Sequence, residues 1–199
     1  TPIRTLLVTP ELVYGPEAEL RALTENPEDP ERIERFEQAA RAELSEVHSF
    51  IRERADDYRR KTGLEITERR VELIADLYLK RATDVNTALE EFQAMADQIR
   101  EEEAALQSKI GIRISFDPTA VDELIAESIK TGHPAGPLAF HLARKLEYGL
   151  KLVKDRAGTD AFVLNAEAVR NMEQYIDDLV KSYYRSGVDV RFPDERENG

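Results

Sequence analysis

From Pro30 to about Lys61 the apolar residues Ile33, Phe36, Ala40, Leu44, Val47, Ile51, Ala55 and Tyr58 follow one another at steps of three and four. That spacing lays an apolar stripe down one face of a single helix. Asp29 before Pro30 supplies an N-cap and a first-turn proline, and Gly63 a stop. The predicted helix is therefore about 48 Å long at 1.5 Å per residue. A helix of that length needs a partner along most of its stripe. The expected partner is Asp84 to Ser108, where Val85, Leu89, Phe92, Met95, Ile99 and Leu106 form a second stripe, with a shorter helix from Glu68 to Arg81 between the two. The pattern predicts a mostly α chain that opens with a long-helix antiparallel bundle. Ahead of it, "IRTLLV" from Ile3 reads as a strand or an extended lead-in, and Glu11 to Leu23 as a short helix.

The pattern changes at Gly111. "IRISF" alternates like a half-buried strand and runs straight into Asp117 and Pro118, a cap and first-turn pair. A helix with Val121, Leu124, Ile125 and Ile129 inward is predicted up to Gly132, and a second carries Leu138, Leu142, Leu146, Leu150 and Val153. "AFVLN" reads as another strand, with Asn165 capping a helix that bears Val169, Met172, Ile176, Leu179 and Tyr183; "VDVRF" reads as a third strand before a charged tail. The resulting order, strand-helix-helix-strand-helix, is that of a small α/β module. The expected domains are a helical bundle or arm over 1–109, the α/β module over 110–192, and a tail over 193–199.

Charge and composition exclude several function classes. Forty Asp and Glu against 28 Lys and Arg give a formal charge of −12, which repels a phosphate backbone, so nucleic acid is not expected as a partner. No apolar run reaches the length of a membrane span and no signal-peptide pattern opens the chain, so no membrane partner and a cytoplasmic location are expected. The lack of cysteine removes disulfides, thiol catalysis and thiolate metal sites. The chain opens at Thr1 with no initiator Met, as an excised fragment of a longer protein would.

No complete catalytic motif is present. Neither Lys61 to Gly63 nor Lys130 to Gly132, both "KTG", has the upstream glycine of a phosphate loop, and no Gly-x-Ser-x-Gly elbow occurs. His48, His133 and His141 lack the convergent spacing of metal ligands and read as exposed or cap-satisfied imidazoles. The carboxylates of "REEEAA" splay around a helix axis and read as a solvated face. Gly111 within "IGI" reads as a helix stop flanked by core residues, and Tyr183 with Tyr184 as aromatics closing the end of a core. No catalytic and no metal-binding residue is expected.

One motif stands apart. "KTGHPAGPLAFHL" sets two glycines and two prolines between two predicted helices. Together with "IRISFDPTAVDELIAESI" and "AFVLNAEAV" it makes residues 99 to 183 resemble the carboxy-terminal small domain, or lid, of ClpX-type AAA+ protein unfoldases. In that family "KTGARGL" opens the corresponding helix, and its arginine senses the nucleotide phosphates. Here His133 or Pro134 stands at that position, with an extra residue before Leu138, so the sensor arginine is missing. The resemblance implies that Lys130, Gly132, His133 and Arg144 lie near a nucleotide. It also implies that ATP is bound by a missing upstream ATPase domain and not by this fragment, and that the remaining partners are other copies in a homo-oligomer and a protein substrate. The alternative reading is a non-enzymatic acidic helical adaptor or scaffold for a protein partner. A free-standing enzyme has least support, because no nucleophile, metal or cofactor constellation is legible.

Overall fold

A computed structural model describes residues 10–26, 29–81 and 83–186, and the chain is mostly helical with one small parallel sheet. The expected strands at "IRTLLV" and "VDVRF" and the tail lie outside the described residues. The chain divides into two compact units, residues 1–75 and 76–199. The division thus precedes the second long helix, whereas the sequence texture placed it at 109/110.

In the amino-terminal unit α1 spans Pro10–Tyr14 and α2 Pro16–Glu25, two helices where a single one from Glu11 to Leu23 was expected. The break falls at Gly15, whose φ of −145° and ψ of 59° leave the helical region just before Pro16 starts α2. α3 (Pro30–Glu53) begins as predicted, with Asp29 accepting a hydrogen bond from the Glu31 amide. Arg32 ties α3 to α2, donating from Nη1 to the carbonyls of Ala22 (2.8 Å) and Asn26 (3.2 Å), with Glu19 at 3.5 Å from its Nε. The carbonyl end of α2 thus gains a cation.

The long helix does not run to Lys61 unbroken. It stops at Glu53, and α4 (Ala55–Thr62) restarts after Arg54. The Arg54 amide bonds three residues back, to Ile51, which tightens one turn and interrupts the i to i−4 ladder. Its guanidinium lies 3.4 Å from the Phe50 ring centroid, a contact that favours the tightened turn. Arg52 then clamps the start of α5 (Glu68–Arg81) through a bidentate pair with Glu68, at 3.0 and 2.6 Å. That hydrogen bond raises the guanidinium pKa and lowers that of the carboxyl.

In the carboxy-terminal unit α6 (Val85–Ile110) is capped by Asp84, which accepts from the amides of Asn86 and Thr87. Ala88, Leu89, Phe92, Met95, Ala96, Ile99 and Leu106 are buried along it. The sequence assigned this stripe to α3; its partner within the unit is α8 (Ala135–Ala157), with Ala139, Leu142, Ala143, Leu146 and Leu150 facing inward. The α6–α8 contact has a steric basis. Small residues on α8 let the two axes approach closely, and a Cβ at Gly136 would stand 3.1 Å from the Gln98 carbonyl oxygen of α6.

β1 (Arg113–Phe116) and β2 (Ala161–Leu164) pair in parallel, with Ile114 opposite Phe162 and Phe116 opposite Leu164. These four side chains are buried, while Arg113, Ala161 and Val163 face out. One face of the sheet is therefore core and the other wet, as the alternation predicted. The connection between the strands is α7 (Pro118–Thr131) followed by α8. α9 (Ala166–Arg170) and α10 (Met172–Ser186) follow β2, interrupted at Asn171 where one continuous helix was expected. α10 packs on α8 at Gly149, where an added Cβ would overlap Ile176 Cγ1 and stand 2.5 Å from its Cδ1.

Gly149→Ala would gain about 1 kcal/mol of helix propensity and lose about 1–3 kcal/mol to overpacking. A lower denaturant midpoint is expected, with recovery in the Gly149→Ala, Ile176→Ala double variant showing that the two sites couple. A second expectation concerns acid. The carboxyls of Asp160, paired with Arg113 at 2.5 Å, and of Asp84, held by the Thr87 hydroxyl, lie below the ordinary carboxylate range. A depressed folded-state pKa contributes stability above the unfolded value of about 4 and loses it as pH falls further. Stability should therefore be level down to about pH 4 and drop below it, and Asp160→Asn should flatten that acid limb in urea titrations followed by circular dichroism.

Candidate functional site

The α7–α8 corner is built by hydrogen bonds that account for its composition. Gly132 ends α7 with φ 77° and ψ 4°, a left-handed conformation that suits glycine, and its amide bonds to the Ser128 carbonyl at 2.8 Å. The Ser128 hydroxyl, buried beneath the turn, donates to the His133 carbonyl at 2.6 Å. Pro134 occupies the N-cap of α8 in an extended conformation, and Pro137 sits in the first turn, where no amide proton is needed. Gly136 is the point of closest approach to α6. One glycine turns the chain, the other makes room, and both prolines start a helix.

Lys130, Gly132 and His133 share this corner and are all exposed. Lys130 is 3.5 Å from Glu127, one turn back. Arg144 lies elsewhere, about 14 Å further along α8 at 1.5 Å per residue. Its guanidinium is paired with Glu147, which also accepts from Lys151 at 2.5 Å. The Lys151 hydrogen bond, with the two cations adding, holds the Glu147 carboxyl below its ordinary range. The corner therefore presents one ammonium and one imidazole to solvent, and Arg144 belongs to a separate charge cluster.

Beside the corner runs a groove of about 570 Å³ bounded by α7, α8 and the α9–α10 junction. Its apolar part comes from Leu124, Leu138, Leu142, Val169 and Met172. Around these stand Lys130, His141, Lys145 and Arg170, with Glu123 and Glu127 between them. Arg170 is paired with Glu123 at 2.6 Å. Sequence reading assigned Leu138 and Leu142 to the core and left Lys145 and Arg170 unremarked. The signal was there in the spacing of Leu138, His141, Leu142 and Lys145, one helix face that is half apolar and half basic.

Among the described residues no group of three or more His, Asp or Glu converges to hold a metal ion, and no helix is long and apolar enough to cross a membrane. Compared with known protein families, with curated proteins and with solved structures, the chain has no match.

If the corner is held by its own hydrogen bonds, its buried serine should matter more than the exposed residues expected near a nucleotide. Ser128→Ala is expected to cost about 1 kcal/mol. His133→Ala and Arg144→Ala, both at exposed positions, should stay within about 0.5 kcal/mol of the parent in the same urea titration.

Proposed function

We propose that this chain is the lid and an attached helical arm of an ATP-dependent AAA+ machine that remodels proteins, and that the nucleotide-hydrolysing domain precedes it in the parent protein. The observation that carries the reading is the order β1, α7, α8, β2, α9 with the strands parallel and the "KTGHPAGPL" corner between the two crossover helices. In this reading the carboxy-terminal unit is a lever. Its α6–α8 contact and one-sided sheet make a dense core, and close-packed interiors move as bodies instead of bending. ATP turnover in the neighbouring domain would rotate it.

The corner fits a mechanical role better than a chemical one. Proline at 134 carries no charge, His133 supplies no planar fork for phosphate, and Arg144 is turned to Glu147. Lys130 is the one cation of the motif placed at the corner itself, and it is the residue that would meet a phosphate there.

A second reading, the acidic helical adaptor, draws support from the amino-terminal unit. Val13, Tyr14, Leu20 and Ile33 are exposed there, and along α3 Val47 and Ile51 alone are buried among the described residues. A helix with so short a buried stretch offers apolar surface to a partner.

Sequencing the gene upstream of the Thr1 codon separates the two. The lid reading expects a strand, a Gly-x-x-x-x-Gly-Lys-Ser/Thr loop and a helix in frame, and an ATPase in the full product that loses activity when residues 76–199 are deleted. A reading frame that opens at or near Thr1, or tight ATP or ADP binding by the isolated chain in a fluorescence titration, would sink it.

A further inference from the structure

We propose that the groove between α7, α8 and the α9–α10 junction docks an acidic amphipathic helix from a partner protein. The inference stands on the groove alone and does not rest on the lid reading.

Shape comes first. Leu138, Leu142 and Lys145 follow α8 for about two turns, roughly 10 Å, and Val169 with Met172 forms the opposite wall. The groove is open to solvent, and the roughly 10 Å that these residues span along α8 is the distance that the i, i+4 and i+7 side chains of a docked helix cover.

Charge selects the occupant. The chain as a whole carries −12, yet Lys130, Lys145 and Arg170 border this groove against Glu123 and Glu127, with the imidazole of His141 beside them. Both acids are already engaged, Glu123 with Arg170 and Glu127 with Lys130. Lys145 and His141 have no hydrogen-bond or ion-pair partner among the described residues. An exposed ammonium beside an apolar strip favours a carboxylate on the flank of an apolar helix face and disfavours a basic one. Because this attraction is between exposed charges, binding should weaken with salt.

The test presents a random peptide library of roughly 12 residues, about three helical turns, to the whole immobilised chain. Enriched sequences should space Leu, Ile or Met at helical intervals with Glu or Asp alongside. The affinity of an enriched, labelled peptide is then read by fluorescence anisotropy. Lys145→Glu is expected to weaken it roughly tenfold, as loss of one charge pair plus a repulsion would. Lys61→Glu, the same charge change on α4, should leave it unaltered. Leu138→Glu should abolish binding, and because that variant risks unfolding, exposed Lys145 carries the decision.

Several outcomes would overturn the proposal. These are no enrichment, a basic consensus, equal weakening by Lys61→Glu, or no effect of Lys145→Glu. Self-association in sedimentation that Lys145→Glu abolishes would assign the groove to a second copy of the chain and would also overturn it.

Discussion

Two parallel strands cannot be joined by a tight turn, and the architecture of the carboxy-terminal unit follows from that constraint. β1 and β2 are four residues each, too short to persist alone, so their register must be fixed from outside the ladder. Arg113 does this at one end, pairing with Asp160 and donating its amide to the Asp160 carbonyl. At the other end Asp117 donates its amide to the Leu164 carbonyl while its carboxylate accepts from the Ala120 amide and from the Thr119 hydroxyl. The same Thr119 oxygen accepts from the Ala166 amide. One small network therefore ends both strands and begins both of the helices that follow.

The groove is a consequence of this network. With α7 and α9 started side by side, their first turns diverge only as far as their packing allows, and α8 closes the third side on its way back to β2. The residues bordering the groove come from three separate stretches of chain, Glu123–Lys130, Leu138–Lys145 and Val169–Met172. The corner at Gly132 to Pro137 sits beside it because it is the turn of the crossover. Its place near a candidate binding surface thus follows from topology, and its chemistry from the needs of a tight turn between two helices.

Local grammar was well legible. Caps at Asp29, Asp117 and Asn165 were readable because each is a carboxylate or amide placed to accept amides one turn on, an interaction that needs no tertiary partner. The alternation of "IRISF" and "AFVLN" announced strands buried on one face. Less legible were the interruptions. Arg54 and Asn171 break helices without glycine or proline, through a tightened turn and a residue outside the helical region that intrinsic propensity does not mark.

The sequence by itself determined the mostly helical class, the capped helix starts after Asp29, Asp117 and Asn165, and the two strands between helices, because spacing and capping act within a few residues. Tertiary structure decided which stripe met which. α6 found α8 because Ala139, Ala143 and Gly136 let two backbones come close, a property of paired surfaces that neither stripe carries alone. It also decided the site, gathering Lys145, His141 and Arg170 around one apolar groove while leaving Arg144 with Glu147, since a residue's neighbours across a fold depend on distances that linear spacing does not encode.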